Sequence, residues 1–395
     1  MDPVTNPFAP GAGSRPPALA GRDELLQAAD IALRRIQIGH QARSMMLLGL
    51  RGVGKTVLLV RIEELAEDAG YATALIEAPE GRRLAELLVP KLSHLLYRLS
   101  GVEKARVLSN RALGALRNFA SAFKVSYAGV EVGVNPEPSV AASGNLETDL
   151  TDVLVMVGEA AAAADRPTAI LIDEVQYLNP EDFSALIVAL HRISQKALPL
   201  ITFGAGLPQL AALSGEAKSY AERLFDFSNV GPLDENAVEA AIRVPIEKAG
   251  VRISDDALLE IGERTEGYAY FLQEWGAHSW NAAPASPITQ EDVVSAGAKA
   301  VTTLDESFFR VRFDRLTPKE QEYLRAMAEL GPGPHRSGEV AAALGMAVTH
   351  AGPRRHDLIT KGMIWSPSHG VTAFTVPMFD QYMRRAMPDW QPADS

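Results

Sequence analysis

The sequence predicts an α/β fold, in which a parallel β-sheet base is followed by a helical lid and a C-terminal α+β domain. Three observations predict it. Apolar runs of strand length alternate with amphipathic helical runs up to about residue 230, which is typical of a parallel sheet covered on both faces. Residues 234–283 read as helical throughout. From residue 316 onward, three helical segments give way to two short strands.

The domain organisation follows from the same patterns. A proline-rich start suits an extended strap, and a helical stretch begins just after Gly21. The predicted boundaries are a strap at 1–20, a nucleotide-binding base at 21–232, a lid at 233–300 and a C-terminal domain at 301–395.

Composition narrows the class of protein. The chain has 395 residues, 47% of them hydrophobic and 22% charged, and this is ordinary for globular domains. It has no cysteine, which excludes disulfides and thiolate metal sites. No apolar run reaches the length of a membrane span, and the start lacks the features of a secretory signal. These observations predict a cytoplasmic protein without a membrane partner.

The net charge of -11 argues against a surface built for general nucleic-acid binding. From residue 301 onward, however, eleven Lys and Arg balance eleven Asp and Glu, so residues 1–300 carry the whole negative excess. Any contact with nucleic acid is therefore expected in the C-terminal part.

A phosphate-binding loop pattern, G-x-x-x-x-G-K-[ST], occupies residues 49–56 directly after the apolar run 45–48. Its glycines allow a tight turn whose backbone N–H groups point at an anion, beside the positive N-terminus of the next helix. The alternative is a chance glycine-rich turn before a helix. The predicted nucleotide-binding residues are Gly49, Gly52, Val53, Gly54, Lys55, Thr56 and Val57, with Lys55 supplying positive charge to the terminal phosphates and Thr56 a hydroxyl ligand for Mg²⁺.

Two carboxylates, Asp173 and Glu174, end the apolar run 169–172. A phosphate-loop protein needs an acid at such a strand end to hold the Mg²⁺ shell, and Asp173 is assigned to this role. Glu174 is placed to orient and deprotonate a water for attack on the terminal phosphate. The alternative is that both acids only begin the next loop and helix.

The rest of the base is predicted from shorter patterns. Further strands are expected at 71–77, 198–203 and 224–230, and helices at 84–99 and 147–164. Residues 123–134 alternate around a central Ala-Gly pair and predict a hairpin, which either contacts a partner or covers a sheet edge.

With both nucleotide motifs in view, the chain resembles the AAA+ ATPases, and more narrowly the branch of archaeal and eukaryotic replication initiators and STAND-type signalling ATPases. The residues that carry the resemblance are 21–23 (GRD), 49–56, 170–176 (ILIDEVQ) and 219–225 (SYAERLF). The resemblance implies ATP or ADP with Mg²⁺ as cofactors, and it places Gly21 and Arg22 beside the adenine. The alternative for this pair is an exposed helix start.

Arg223 looks like the arginine finger of this family, a cation lent to the nucleotide of a neighbouring subunit. The resemblance therefore implies a homo-oligomer or a partner AAA+ subunit when ATP is bound. An ion pair with Glu222 or Asp226 is an equally weighted alternative. The fourth strand lacks the Asn that senses the terminal phosphate in many relatives, Thr202 being the nearest polar substitute, and residues 267–273 lack the sensing Arg. Slow hydrolysis is expected.

The C-terminal elements are predicted to form a winged helix-turn-helix. In that fold the third helix enters the DNA major groove, where arginine can bridge guanine O6 and N7. The alternative is that the domain binds a protein and its basic patch is an ordinary solvated face. The predicted DNA contacts are His350, Arg354 and Arg355 to bases, with Lys361 and His369 to phosphates.

Three functions remain open at this point. The leading prediction is an ATP-binding, slowly hydrolysing switch that binds DNA through the C-terminal domain. The second is a signalling ATPase of the STAND type, whose C-terminal domain binds a protein partner. The third is a scaffold that holds nucleotide without hydrolysing it.

Overall fold

A computed structural model describes residues 1–11, 13–125 and 140–393, which form two compact units. The sheet unit comprises residues 23–48 and 55–229, and the lid unit comprises residues 1–22, 49–54 and 230–395. The predicted hairpin at 123–134 falls outside the described residues from position 126 onward.

The sheet unit is built on five parallel strands in the order β2-β3-β4-β1-β5. The inner strands β1, β3 and β4 are buried at every position, because helices cover both faces, and their sequences are correspondingly apolar. The predicted parallel sheet is thus confirmed. The strands are β1 (Ser44–Leu48), β2 (Ala72–Glu77), β3 (Thr168–Asp173), β4 (Leu200–Gly206) and β5 (Phe225–Asn229).

The sequence-based prediction places no helix at α4, α7 or α8, and it gives α6 only as a helix of unstated bounds after the Asp173–Glu174 pair. The start of α6 is well defined: Pro180 occupies its first turn, and the Asn179 side chain accepts a hydrogen bond from the Asp182 N–H at 2.7 Å. The helices are α1 (Asp23–Gln37), α2 (Lys55–Asp68), α3 (Leu84–Ser100), α4 (Arg106–Ala122), α5 (Leu146–Ala163), α6 (Pro180–Gln195), α7 (Leu210–Ala217) and α8 (Ala221–Leu224).

The parallel arrangement gives the sheet unit two distinct edges. Asp173 ends β3 at the carboxyl edge, whereas Ser44, Leu200 and Phe225 begin their strands at the amino edge. Strands of five to seven residues separate these edges by roughly 15–20 Å. A side chain at one edge therefore cannot reach a ligand held at the other.

The lid unit contains a helical bundle on which the N-terminal strap packs. Asn6 donates from Nδ2 to the Ala277 carbonyl at 3.0 Å, and Trp280 donates from Nε1 to the Asp2 carbonyl at 2.9 Å. Phe8 is buried against Gly276. The helices are α9 (Glu235–Lys248), α10 (Asp255–Thr265), α11 (Ala269–Ala282), α12 (Gln290–Leu304) and, after a π-helical turn at Asp305–Phe309, α13 (Arg310–Phe313).

The remainder of the lid unit is a small α+β domain with a three-stranded antiparallel sheet in the order β6-β8-β7. Its first helix begins where the Thr317 N–H donates to Glu320 at 2.7 Å. The elements are α14 (Pro318–Leu330), β6 (His335–Arg336), α15 (Ser337–Ala343), α16 (Val348–Thr360), β7 (Ile364–Trp365), β8 (Val371–Phe374) and α17 (Phe379–Ala386). Within the described ranges, no helix is long and apolar enough to cross a membrane.

Candidate nucleotide site

The phosphate-binding loop at 49–54 has a backbone that only glycine accommodates at key positions. A Cβ atom on Gly49 would lie 2.3 Å from the Val230 carbonyl oxygen. Gly54 has a φ of +93°, in the left-handed region that other residues rarely adopt. The glycines of the motif are therefore required by close packing and by backbone conformation.

The Arg22 side chain holds this loop by hydrogen bonds to main-chain carbonyls. Its guanidinium donates to the carbonyls of Val53 at 3.2 Å and Gly231 at 2.6 Å, and the side chain is buried. Burial lowers the pKa of Arg22, and the charge of Asp234 opposes that effect. The neighbouring residue Gly21 packs closely on α9, because a Cβ atom on Gly21 would lie 2.5 Å from the Ala237 side chain. In this structure the Arg22 guanidinium holds the loop backbone; the adenine contact stays a prediction for both residues.

In the sheet unit, α2 begins at Lys55, which is 8% exposed. The next residue, Thr56, donates from Oγ1 to Asp173 Oδ2 at 2.6 Å. Thr56 and Asp173 are thus brought together at the carboxyl edge of the sheet, although 117 residues separate them in sequence. Val57 continues α2, half-buried beside them.

The donor set of this pair fits Mg²⁺, which prefers hard oxygen ligands and is held in nucleotide sites by a few protein oxygens plus phosphates. Burial raises the pKa of Asp173, while the hydrogen bond from Thr56 acts in the opposite direction and the charge of Glu174 adds to the rise. A bound cation would favour the ionised carboxylate and so reverse the effect of burial. In the described ranges, no cluster of three or more His, Asp or Glu suits a metal held by protein alone.

Glu174 follows Asp173 in a left-handed backbone conformation, with φ +55°. Its N–H donates to Asp173 Oδ1 at 2.8 Å, and its carboxylate accepts a hydrogen bond from the Gln176 side chain. Gln176 in turn accepts from the Leu207 N–H at 3.1 Å, just beyond the end of β4. The strained turn and the glutamine together set the direction of the Glu174 carboxylate.

Arg223 lies at the amino edge of the sheet, two residues before β5 begins, and therefore on the side away from Asp173 and Thr56. Among the described residues it makes no ion pair with Glu222 or Asp226. The structure thus separates Arg223 from the other residues of the predicted catalytic set within one chain.

Other parts of the lid unit contact the phosphate-binding loop through its main chain. The Arg51 N–H donates to the Thr375 carbonyl, just after β8, at 3.0 Å. The Tyr270 N–H, in the first turn of α11, donates to the Gly52 carbonyl at 3.0 Å. The Tyr270 ring stacks on Phe308 with centroids 4.9 Å apart. Both the lid helices and the C-terminal domain are therefore hydrogen-bonded to the loop.

The predicted DNA contacts lie on or near α16 and the β7-β8 hairpin, and several of them are used within the domain. Arg355 donates to the Thr372 hydroxyl at 2.8 Å and to the Val371 carbonyl at 3.0 Å. Lys361 pairs with Glu320 at 2.8 Å, and Arg354 pairs with Glu322 at 3.4 Å. The imidazoles of His350 and His369 are exposed.

Three residues that contribute to the candidate site, Gln176, Arg51 and Tyr270, were not predicted from the sequence. Gln176 is the last residue of the motif at 170–176, but its hydrogen bonds with Glu174 and Leu207 depend on how β3 and β4 pair. The contacts of Arg51 and Tyr270 are made by backbone N–H groups, which carry no residue-type signal.

A parallel sheet with a phosphate-binding loop after β1 and an Asp-Glu pair after β3 defines a P-loop ATPase. Residues 18–203 match the family model described as AAA ATPase domain. Residues 306–383 match a domain of unknown function, DUF8462. A search of the curated proteins found no match.

Of the three solved structures described next, the one with a TM-score above 0.5 agrees on the fold. The Walker-type ATPase of Pyrococcus abyssi is 16% identical and has a TM-score of 0.57, with 94% of this chain and 97% of that chain covered. Cdc6p from Pyrobaculum aerophilum is 16% identical, with a TM-score of 0.47 and 98% of each chain covered. The RuvB Holliday junction branch migration motor of Thermotoga maritima is 15% identical, with a TM-score of 0.46 and 96% of this chain and 100% of that chain covered.

Proposed function

We propose that this ATPase is a slow, ATP-dependent switch whose nucleotide state is transmitted to the C-terminal domain. The observation that carries the proposal is the main-chain hydrogen bond from Arg51, inside the phosphate-binding loop, to Thr375 in that domain. The loop must adapt to a bound triphosphate, because its N–H groups turn toward the phosphates. A segment bonded to the loop then senses whether nucleotide is present.

The chemistry of the proposed site follows from the residues at the carboxyl edge. Mg²⁺, when bound, would neutralise charge on the phosphate oxygens. Thr56 and Asp173 would hold it, and Lys55 would bind the terminal phosphates. Glu174, held by Gln176, would orient a water and accept its proton.

Slow turnover is proposed because the positions that sense the terminal phosphate in relatives are differently occupied here. Thr202 is fully buried, and its N–H donates to the Ser44 hydroxyl at the amino edge. At the carboxyl end of β4, Gln176 bonds to Leu207. A polar group is thus present near that end of the strand, but it holds the catalytic glutamate.

Assembly through Arg223 is proposed from its location. A residue at the amino edge cannot serve the nucleotide of its own chain across roughly 15–20 Å of sheet. An exposed arginine without a described ion-pair partner suits a nucleotide presented by a second subunit. The partner is either another copy of this chain or a related ATPase subunit.

Hydrogen exchange tests the switch. ATP with Mg²⁺ is expected to change exchange of the Arg51 amide and of residues 371–376 by at least about fivefold, or ~1 kcal/mol in local stability. The reason is that the Arg51 bond to Thr375 must be remade when the loop takes up phosphates. The Lys55→Ala chain, which lacks the phosphate-binding cation, should show no such change. Equal exchange with and without ATP in the unaltered chain, at saturating nucleotide, would rule out the switch.

For the output of the switch, we propose DNA binding through residues 316–388. The order of helix, strand, two helices and an antiparallel hairpin supports a winged helix, with α16 as the helix that would enter the major groove. His350 lies near the start of α16 and His369 at the hairpin tip. Both side chains are exposed, and in the described structure neither forms a hydrogen bond or an ion pair. Arg354, Arg355 and Lys361 would have to exchange their internal partners for DNA.

Salt dependence tests this output. The full chain is expected to bind duplex DNA with a plot of log affinity against log salt that has a slope of about -2 to -3, as for two or three phosphate contacts. His369→Ala should weaken binding by about threefold to tenfold, whereas His40→Ala, an exposed histidine of the sheet unit, should not. A slope near zero, or no binding, would exclude the DNA function.

A protein partner is the second candidate, and one observation favours it. The cations of α16 and its C-terminal end are already paired with acids or with the hairpin, through Arg354–Glu322, Lys361–Glu320 and the hydrogen bonds of Arg355. These contacts reduce the positive field available to DNA phosphates. The same salt experiment separates the candidates, because a STAND-type output domain would not bind DNA.

A further inference from the structure

The sheet unit contains a cavity of about 360 Å³ at the amino edge of the sheet. We call it the arginine cleft. Three arginines from separate segments converge on it: Arg35 from α1, Arg43 from the chain entering β1 and Arg223 from α8. Among the described residues, no acid lines it, and the apolar side chains of Leu190, Ile193 and Leu200 form part of its wall.

The polar groups of the cleft are mainly hydrogen-bond donors. Arg35 donates from Nε to the Gln41 carbonyl at 3.0 Å, which fixes the guanidinium and leaves its terminal N–H groups for another partner. Ser194 donates to Gln41 Oε1 at 3.4 Å. Within the described part of the chain, the side chains of Arg43 and Arg223 form no hydrogen bond or ion pair.

The three guanidinium groups repel one another, and an anion bound between them would offset this repulsion. The apolar lining strengthens any such interaction, because it lowers the local dielectric. Planar guanidinium groups bind phosphate oxygens in a bidentate manner and discriminate by geometry as well as charge. A single carboxylate offers two oxygens, too few to engage three guanidinium groups fully, whereas linked phosphates offer more.

We propose that the arginine cleft binds a phosphate-bearing anion of the size of a diphosphate or triphosphate group. Arg35, Arg43 and Arg223 contact its oxygens, with the Gln41 amide as a further donor. The site lies at the opposite edge of the sheet from Asp173, so it is separate from the chain's own nucleotide site. Binding there does not depend on ATP hydrolysis by the same chain.

Two sources present this chemistry. One is a free phosphorylated molecule that occupies the cleft as a ligand. The other is the triphosphate of a nucleotide held by a second copy of the chain, in which case Arg35 and Arg43 act beside Arg223 on the neighbour's phosphates. Only the second source makes the cleft depend on assembly.

Pyrophosphate is the probe for the shared chemistry. Calorimetric titration uses the full Lys55→Ala chain, so that the phosphate-binding loop does not compete. One pyrophosphate per chain is expected. Arg35→Gln and Arg43→Gln should each lower its affinity at least about tenfold, since each removes a charge-assisted contact.

Arg34→Gln is the matched control. Arg34 adjoins Arg35 on α1, but its exposed side chain pairs with Asp30 at 2.8 Å and does not line the cleft. The pyrophosphate affinity of the Arg34→Gln chain should change by no more than about twofold. Equal losses in the Arg34 and Arg35 variants, or no pyrophosphate binding at low ionic strength, would overturn the proposal. So would binding of a hexaglutamate peptide but not pyrophosphate, since the cleft would then be a docking surface for an acidic protein.

The titration also separates failure of the cleft from failure of the nucleotide site. Two pyrophosphates per Lys55→Ala chain, of which the arginine variants remove one, would support the cleft and refute the role of Lys55.

Mixing experiments then identify the source. Arg43→Gln chains, with an intact loop, are mixed with Lys55→Ala chains, which keep the cleft. A rise in ATP hydrolysis with total protein concentration, absent from either variant alone, identifies the neighbour's triphosphate. Pyrophosphate binding without any such rise identifies a free phosphorylated ligand.

Discussion

Lys55→Ala is expected to lower the affinity for ATP at least about 100-fold, or ~3 kcal/mol. Lys55 is the first residue of α2 and 8% exposed, so its ammonium acts in a partly desolvated position at a helix N-terminus. Loss of this charge removes contacts to the terminal phosphates that the neighbouring N–H groups cannot replace. Anisotropy of a fluorescent ATP analogue, titrated with each variant, measures the change.

Lys104→Ala provides the control, because Lys104 is an exposed lysine of the same unit outside the site. It should bind ATP as the unaltered chain does. Thermal unfolding checks that Lys55→Ala is folded. Retention of full ATP affinity by a folded Lys55→Ala chain would contradict the assignment of the nucleotide site.

The parts of this site that the sequence predicts are local in the chain. The loop at 49–56 is one contiguous motif, and Asp173 directly follows an apolar run that forms β3 as expected. Parallel strands bring their carboxyl ends to one edge, so the meeting of Thr56 with Asp173 follows from the fold class alone.

The parts that the sequence does not predict depend on contacts between distant segments. Gln176 connects Glu174 to Leu207 only because β3 and β4 are neighbours in the sheet. The bounds of helix α6 were not predicted, because its central run, residues 184–190 (SALIVAL), is as apolar as a buried strand. The periodicity of such a fully apolar segment does not distinguish the two structures.

The arginine side chains show most clearly the difference between what the sequence predicts and what the fold decides. The basic residues 354 and 355 look in sequence like a DNA-binding surface, yet their partners lie 17 to 32 residues away, at Thr372 and Glu322. Arg223, by contrast, has two acids close in sequence and pairs with neither in the described structure. Local charge patterns therefore predict which residues are cationic, but the fold decides which of them are available to a ligand.

Glu174→Gln is expected to bind ATP within about twofold of the unaltered chain and to lower the rate of hydrolysis by about 10²- to 10⁴-fold, the usual contribution of a general base. The amide keeps the shape of the side chain and its contact with Gln176, but it cannot accept the proton of the attacking water. The decrease in rate should appear in the chemical step of ATP hydrolysis. Single-turnover hydrolysis of radiolabelled ATP, with enzyme in excess, measures that step even when steady-state turnover is low.

Glu181→Gln is the matched control, because it removes a carboxylate with a side chain 70% exposed, in the first turn of α6, only seven residues from Glu174. It should hydrolyse ATP at the rate of the unaltered chain. If Glu174→Gln also hydrolyses at that rate, Glu174 is not the base, and the Gln176 contact serves only to hold the turn after β3. If ATP affinity falls together with the rate, Glu174 acts in binding, because removing a base alone lowers only the transition-state contribution.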